Sequence, residues 1–355
     1  MELSTLKKIT EKGILAPSAD NLQPWLFKIG DSEVDLFLDK KYTNNFCDEN
    51  YLIPYLSMGA VIENMRVAAA EWRLELSASY FPARDNPLHV ALLAFRETTP
   101  KNHPHFKALD ERTTNRKFYN LARKIEPTTY AQLNRVVDQE KGFKLLWIKN
   151  QDVAYKKLTR LIGSADQLRF EIERLHKELI ATLRFNQEEV EKTKDGLDLK
   201  TFETGWAGSL LFSSLRSWAC LKSLNHIGMS RLFNFYAQLQ MSSSQAVGLL
   251  VSKTNRPIDY VRGGELMERL WHEITLLKLS LQPIEALPVF IINLNLTDSR
   301  DLSDKQKKKL KELKSAFYSL FEIDDRNGLI LLFRMGYAPP PSARSLRKPL
   351  REFLV

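Results

Sequence analysis

The pattern of apolar and polar positions predicts a compact strand–helix–strand unit in the first third of the chain. Helical spacing of apolar residues alternates with short runs of period two and with continuous apolar runs, which are typical of half-buried and fully buried strands. The pattern predicts helices over 3–13 and 52–73, a hairpin over 26–39 that turns at Gly30-Asp31, and buried strands over 74–82 and 89–97. Gly59 and Ala60 in the long helix would let a second helix approach closely.

The order of elements begins again after a linker over 98–110, which contains Pro100 and Pro104. A charged helix is expected to start at Asp110. Further helices are expected over 127–140, 151–162, 166–184, 206–226 and 263–279, and strands over 143–149, 246–252 and 288–296. The polar stretch 185–205 is typical of a surface flap. This alternation predicts an α+β or α/β protein with one mixed sheet in each half.

Composition is that of a globular protein with an ample core: 44% of the 355 residues are hydrophobic and 27% are charged. The two cysteines, Cys47 and Cys220, form no CxxC pair, so we expect buried thiols in a reducing compartment. The longest apolar run, about 52–70, carries Glu63, Asn64 and Arg66, which a membrane span rarely tolerates. The amphipathic start, MELSTLKKITEKG, lacks an apolar signal core. We therefore expect a cytoplasmic protein with no membrane partner.

The net charge is +9, and much of the excess lies in KQKKKLKELK (305–314) and RSLRKPLR (344–351). The first stretch fits a solvated helix face, because Leu310, Leu313, Phe317 and Leu320 recur at helical spacing. No recognition motif accompanies the charge, and no nucleic-acid partner is expected.

The common catalytic and nucleotide-binding signatures do not occur: G-x-G-x-x-G, the P-loop, HExxH and G-x-S-x-G are all missing from the sequence. His103 and His105 stand beside prolines, which favours a solvated loop. His272 and Glu273 lie on an amphipathic helix, which favours a structural role. No side chain is assigned to catalysis, and no metal site is expected.

Three stretches could carry chemistry. ERTTNRKF (111–118) sets Arg112 and Arg116 four residues apart with Thr114 between them, which on one face of a helix would bind an anion. PSARSLRKPLREFL (341–354) supplies Ser345 and Arg347. For both stretches, a solvated basic surface is the alternative. In LAPSADNLQPWLF (15–27), Asn21 and Gln23 stand in an apolar run and are costly to bury unless they find partners, which could be local backbone.

Taken together, these stretches resemble the motifs of the nitroreductase-like superfamily of FMN-dependent enzymes, and the resemblance covers nearly the whole chain. RTTNRKF resembles the family's R-x-S-x-[RK]-x-F phosphate motif. PSADNLQPW resembles P-S-S-x-N-x-Q-P-W, which a subunit lends to its partner's flavin, with Ala19 in place of a frequent Ser. LQPIEAL (281–287) resembles the P-x-E-G turn near the flavin N5, with Ala286 in place of Gly. The resemblance implies cofactor contacts at Pro17, Ser18, Asn21, Gln23, Arg112, Thr114, Arg116, Pro283, Glu285, Ala286, Ser345 and Arg347.

The order of the motifs is similar to that of the long, duplicated branch of this superfamily. The lending motif has no phosphate motif before it, and the phosphate motif has no lending motif after it. The resemblance implies an α+β, nitroreductase-like fold of two fused halves. These halves would form an intramolecular pseudo-dimer with mixed sheets flanked by helices and one FMN per chain. The first, truncated half would span 1–110 and the second 111–355, with a lid at 185–205. The molecule would be a monomer of this kind or a homodimer.

Three functions stay open at this point. The first is an FMN-dependent oxidoreductase that passes electrons from NAD(P)H to a nitroaromatic, a quinone or another small acceptor; here the flavin carries the chemistry. The second is a flavin-binding or flavin-sequestering protein whose lid excludes the nicotinamide. The third is a scaffold that binds no cofactor and offers its basic surface to partners.

Overall fold

The structure is a computed structural model that describes residues 2–42, 51–99, 102–296 and 302–355. Cys47 and Pro100 lie outside these ranges. The helices are α1 Leu3–Gly13, α2 Leu52–Glu71, α3 Phe106–Glu111, α4 Pro127–Asp138, α5 Val153–Arg169, α6 Glu173–Thr182, α7 Gln187–Thr193, α8 Gly205–Ser214, α9 Trp218–Asn225, α10 Met229–Ser242, α11 Pro257–Leu276, α12 Ala286–Leu296 and α13 Asp304–Phe321. The strands are β1 Trp25–Ile29, β2 Glu33–Leu38, β3 Leu74–Tyr80, β4 His89–Glu97, β5 Phe143–Lys149, β6 Leu183–Arg184, β7 Leu197–Asp198, β8 Ala246–Ser252, β9 Ser280–Pro283 and β10 Gly328–Gly336.

Two four-stranded sheets, each packed against a long helix, organise the chain. The first has the order β1-β2-β4-β3 and the second β5-β8-β10-β9, and their neighbouring strands are antiparallel. Parallel pairing is added at the edges by single bridges, from Leu354 to Phe27 and from Thr114 to Leu281. The prediction of an α+β architecture with two helix-flanked sheets is confirmed, and the sheets are mixed only through these bridges.

The chain's last residues pair with the first sheet. Leu354 forms the parallel bridge with Phe27, and the backbone N–H of Val355 donates to the Phe27 carbonyl at 3.0 Å. The preceding turn contributes Phe353, whose ring lies 6.0 Å from that of Trp25. The C-terminal segment therefore lies directly beside the opening loop that precedes β1.

The central contact is the crossing of α2 and α11, where the backbones touch at paired glycines. Gly59 and Gly264 are each the eighth residue of their helix. A Cβ on Gly59 would lie 1.9 Å from the Val261 carbonyl oxygen, and one on Gly264 would lie 2.1 Å from the Leu56 carbonyl oxygen. This reciprocity is the pattern of an isologous interface, in which equivalent residues make equivalent contacts. The predicted close approach at Gly59 is confirmed.

Buried polar contacts repeat the same reciprocity one turn further along. Glu63 forms an ion pair with Arg269 at 2.9 Å, and Glu268 accepts from the Asn64 amide at 3.1 Å once that amide is turned so that its nitrogen faces acceptors and its oxygen faces a donor. Burial would raise the pKa of Glu63, but the hydrogen bond from Arg269 and the charges of Arg269 and Arg66 outweigh it and lower that pKa to about 2. The polar residues that argued against a membrane span thus fasten two helices together. Among the described residues, no helix is long and apolar enough to cross a membrane.

Several element predictions are wrong in instructive ways. The run 288–296 is not a strand but part of α12, and 166–184 divides between α5 and α6 because the chain turns between Arg169 and Glu173. The expected helix over 206–226 is α8 and α9, and the glycines expected to start the helix 263–279 lie inside α11. The sequence pattern also missed α10, β9 and β10. Cys220 is half-buried rather than buried.

Candidate functional site

A cavity of about 1300 Å³ lies where the opening loop, the segment after α3, the start of α12 and the C-terminal segment meet. This is larger than an ordinary small-molecule site of roughly 300–1,000 Å³. Apart from Gln23, every residue that the motifs singled out lines it: Pro17, Ser18, Asn21, Arg112, Thr114, Arg116, Pro283, Glu285, Ala286, Ser345 and Arg347. The structure therefore brings together residues that are up to 330 positions apart in the sequence.

The segment with Arg112 and Arg116 is extended, so the expected helix from Asp110 is wrong. Helix α3 already ends at Glu111, and Arg112 has φ −58° and ψ 127°. Thr114 pairs with Leu281, and the Asn115 N–H donates to the Leu281 carbonyl at 2.9 Å. Alternate residues of an extended chain share one side, which is how Arg112, Thr114 and Arg116 all come to line the cavity.

Arg112 is held by a buried carboxylate. Its Nε lies 2.9 Å from Glu268, its Nη2 donates to the Leu15 carbonyl at 2.7 Å, and its guanidinium lies 4.8 Å from the centre of the Trp271 ring. Glu268 is fully buried between Arg112 and His272, and His272 Nε2 lies 3.3 Å from Glu268 Oε1. Most of the positive charge of Arg112 is thus already balanced.

Arg347 differs, because its acceptors are neutral oxygens. It donates to the carbonyls of Ile14 at 3.1 Å, Leu15 at 3.3 Å and Ala16 at 2.8 Å, and to Asn21 Oδ1 at 2.6 Å. Among the described residues, no carboxylate lies within ion-pair distance of it. Burial first, and then the charge of Arg112, lowers the pKa of Arg347 to about 9. This half-buried cation fastens the tail to the opening loop and makes the neighbouring wall electropositive.

Arg116 makes the fewest side-chain contacts of the three arginines. Its contacts are a long hydrogen bond to the Thr201 carbonyl, at 3.4 Å, and the face of the Phe202 ring, 5.3 Å from the guanidinium. Burial lowers its pKa, and the charges of Glu285 and Asp20 oppose that shift. Most of its five N–H donors are available to a ligand.

The amides of Asn21 and Gln23 do find partners, but these partners are protein backbone. Asn21 Nδ2 donates to the carbonyls of Gly196 and Leu346, both at 3.1 Å. Gln23 Nε2 donates to the Lys194 carbonyl at 2.8 Å, and its Oε1 accepts from the backbone N–H of Lys348 at 2.9 Å. The opening loop therefore binds the segment after β6 and the tail, with its amides saturated.

We call residues 183–204 the lid; they cover the stretch 185–205 that was expected to be a surface flap, except for Gly205, which begins α8. The lid is ordered by β6, α7, β7 and the turn 199–202, and Leu197 and Leu199 pack in an apolar cluster with Phe212. Asp195 fastens it by ion pairs with Arg184, at 2.5 Å, and with Lys348, at 2.6 Å. The lid is therefore not a solvated loop; several of its residues form part of the cavity wall.

Two carboxyl groups that line the cavity have raised pKa values. Burial raises the pKa of Asp166 to about 6, although Arg169 opposes the shift. Burial, and then the charge of Asp20, raises the pKa of Glu285. Nothing in the sequence marks Asp166, which lies in the middle of an ordinary amphipathic helix. Arg344 and Arg334, which also line the cavity, were likewise missed.

Replacing Asp166 with asparagine should stabilise the protein at pH 8 and not at pH 4.5. An acid whose folded pKa exceeds its unfolded value of about 3.8 binds more protons folded, so stability falls as pH rises through this window. We expect a gain of about 1–2 kcal/mol at pH 8, measured by urea unfolding. The exposed Asp138→Asn serves as a control, and a gain of the same size at pH 4.5 would contradict this explanation.

The histidines near the linker are not solvated as the sequence suggested. His105 is buried and lies 2.9 Å from Glu273, and its ring stands 5.6 Å from that of the fully buried His272. Burial lowers the pKa of His103 to about 4. In the part of the chain that the structure describes, no group of three ligating side chains could hold a metal ion.

Comparison with known proteins gives two kinds of match, and no family model matches the chain. An uncharacterized protein of Mycobacterium tuberculosis is 24% identical over 345 residues, which are 97% of this chain and 47% of the relative. The "Putative NAD(P)H nitroreductase acg" of the same species is 34% identical over 90 residues, 25% of this chain and 27% of the relative. The chain spans less than half the length of either curated relative.

Among solved structures, a nitroreductase-like family protein from Bacillus cereus matches with a TM-score of 0.36 and 12% identity, over 72% of this chain and 96% of its own. An FMN- and NADPH-dependent nitroreductase, NfnB, from a Sphigopyxis species matches with a TM-score of 0.37 and 12% identity, over 70% of this chain and 96% of its own. By its motifs and by its sequence relatives, the chain resembles the nitroreductase-like superfamily.

Proposed function

We propose that the chain binds FMN in this cavity and is a flavin-dependent oxidoreductase of the nitroreductase type. The observation that carries the proposal is the convergence of four separate motif segments on one cavity. Two of those segments, the opening loop and the phosphate motif, precede different sheets. We propose further that the two sheet-and-helix units are fused halves forming a pseudo-dimer with one cofactor.

The residues present fit a flat, aromatic dianion. The cavity exceeds the volume such a ligand needs, and Phe202, Phe212 and Phe233 offer apolar ring surface. Arg116 retains free donors, and the half-buried Arg347 lacks a carboxylate partner among the described residues. A phosphate dianion beside these guanidiniums would gain charge-assisted hydrogen bonds and would compensate a cation that the protein leaves uncompensated.

In this proposal each segment has a distinct task. Arg116 and Thr114 would bind the phosphate, while Arg112, held by Glu268, would keep the wall in place. Asp166 and Glu285, whose pKa values are raised by burial, line the same cavity as the ligand. When bound, FMN supplies the two-electron chemistry between NAD(P)H and a small acceptor such as a nitroaromatic or a quinone.

The test is to purify the chain, reconstitute it with FMN, remove free flavin, and add NADH or NADPH without oxygen. Bleaching of the flavin absorbance near the visible maximum, and its return on adding a quinone, is the expected result. A colourless protein after reconstitution would leave a cofactor-free scaffold as the function. Bound flavin that neither nucleotide bleaches would favour sequestration.

Flavin sequestration is the second candidate, and it is favoured by the contacts that hold the lid against the opening loop and the tail. Six hydrogen bonds and ion pairs join the lid to the opening loop and the tail, through Asn21, Gln23, Ser342 and Lys348. In this arrangement the lid covers the cavity from the side of Thr201 and Phe202. A nicotinamide would need the lid to open.

Replacing Asp195 with asparagine should loosen the lid, because it removes the charge that pairs with Arg184 and Lys348. If the lid limits access, we expect about tenfold faster reduction of bound flavin by NADPH, the equivalent of about 1.4 kcal/mol. Stopped-flow absorbance measures the rate. Glu191→Gln, an equal charge change at an exposed position of the same lid, should have no effect, and equal rates in both variants would exclude lid control.

A further inference from the structure

The outer side of α8–α10 exposes large apolar side chains that no other described part of the chain covers. Trp206 and Ile227 are each 82% exposed, Leu210 is 64% exposed and Phe235 is 63% exposed. Isolated exposed apolar residues are ordinary, whereas a group of them on consecutive elements marks an interaction surface. We call this surface the apolar face; its members are Trp206, Leu210, Ile227, Leu232, Phe235 and Leu239.

Helical spacing places these residues on common sides of their helices. Trp206 and Leu210 are four apart on α8, and Leu232, Phe235 and Leu239 follow the three-and-four spacing of one face on α10. The other side of α10 faces inward, since Phe233 stacks on Phe170 with ring centroids 3.6 Å apart. Helix α10 therefore carries apolar side chains on its inward side and also on its outward side.

The charged side chains that α8–α10 and their connecting loops carry are all basic. No aspartate or glutamate occurs between Glu203 and Asp259, although the chain has 43 acidic residues. Arg216, Lys222 and Arg231 are exposed in this stretch, and Arg231 lies one turn before Phe235 on the same face of α10. The acidic side chains nearby belong to other elements: Glu173 of α6 interacts with Lys222, and Glu189 of the lid lies 3.6 Å from Arg216.

These charges distinguish between possible occupants. In a symmetric contact with a second copy, the same patch meets itself, so cations would face cations with no carboxylate in the stretch to pair with them. An anionic surface meets the same patch with complementary charge. Exposed tryptophan and phenylalanine beside lysine and arginine are the composition of helices that lie in the bilayer interface.

We propose that the apolar face docks on the surface of an anionic lipid bilayer, with Trp206, Ile227 and Phe235 inserted at headgroup depth and Lys222 and Arg231 against lipid phosphates. This is binding at the interface and needs no spanning helix. The sequence-based expectation of no membrane partner rested on the lack of an apolar span and an export signal, and neither bears on interfacial docking.

The test is cosedimentation of the full chain with vesicles of phosphatidylcholine alone or with about 30% phosphatidylserine. We expect binding at least tenfold tighter to the anionic vesicles, because basic residues near such a surface are attracted to it, and we expect high salt to weaken that binding. The double variant W206S/F235S should bind at least tenfold more weakly. L3S/V153S removes two exposed apolar side chains elsewhere and should bind like the wild type.

Charge variants separate specific docking from general attraction. K222E/R231E should lose the preference for anionic vesicles, whereas K308E/K309E, an equal change on the exposed side of α13, should keep it. Circular dichroism checks that each variant is folded. Equal binding by W206S/F235S and the wild type would overturn the proposal. So would dimerisation in light scattering that W206S/F235S abolishes, because the apolar face would then belong to a second copy.

Discussion

Replacing Gly59 with alanine is expected to destabilise the protein by about 3 kcal/mol. The new Cβ would lie 1.9 Å from the Val261 carbonyl oxygen and 2.7 Å from the Glu265 nitrogen, so two helices would have to move apart along their central contact. Gly264→Ala should have a similar effect, because its Cβ would meet the Leu56 carbonyl oxygen at 2.1 Å. Urea unfolding followed by far-ultraviolet circular dichroism measures both.

The control is Gly30→Ala in the hairpin turn, where an added Cβ would come no closer than 3.5 Å to Glu33. Its free energy of unfolding should change by less than about 0.5 kcal/mol. If Gly59→Ala also lowers the free energy of unfolding by less than about 1 kcal/mol, α2 and α11 do not cross at the paired glycines, and the reciprocal interface is wrong.

Replacing Arg347 with alanine is expected to weaken FMN binding at least tenfold and to lower the free energy of unfolding by about 2 kcal/mol. The carbonyls of Ile14 and Ala16 and the amide oxygen of Asn21 would lose their donor, whereas the Leu15 carbonyl would keep the one from Arg112. Leaving buried acceptors unpaired costs about 1–3 kcal/mol each, and relief from burying an uncompensated cation offsets part of that cost.

Arg351, exposed in the same tail, provides the control, and Arg351→Ala should leave both quantities unchanged. The two readouts also separate the possible roles of Arg347. A positioning residue changes stability and affinity together, and its effect persists when riboflavin, which lacks the phosphate, replaces FMN. If affinity falls only for FMN while stability is unchanged, Arg347 contacts the phosphate directly.

Strong periodicity predicted the first half of the fold well. The hairpin, the long helix α2 and the strands β3 and β4 have patterns that only one structure satisfies. The run 288–296 failed because a short, continuous apolar run fits a buried helix and a buried strand equally. In the structure it lies in α12, which begins at Ala286, three residues after β9 ends at Pro283.

At the candidate site, too, the sequence indicated which residues matter but not how they are arranged. The four-residue spacing of Arg112 and Arg116 fits one side of a strand as well as one face of a helix, and only the pairing of Thr114 with Leu281 resolves it. Because buried polar groups are almost always hydrogen-bonded, the sequence correctly predicted that Asn21 and Gln23 have partners. They could not indicate the lid carbonyls of Gly196 and Lys194, which are more than 170 residues away.

The central claim is that the cavity shared by the opening loop, the phosphate motif and the tail binds FMN. The most direct measurement is equilibrium titration of the flavin-free chain with FMN, followed by quenching of flavin fluorescence, for the wild type, Arg116→Met and the exposed Arg160→Met. We predict micromolar or tighter binding, about 8 kcal/mol, weakened roughly 10- to 100-fold by Arg116→Met alone. No saturable binding, or equal affinities for Arg116→Met and the wild type, would contradict the claim.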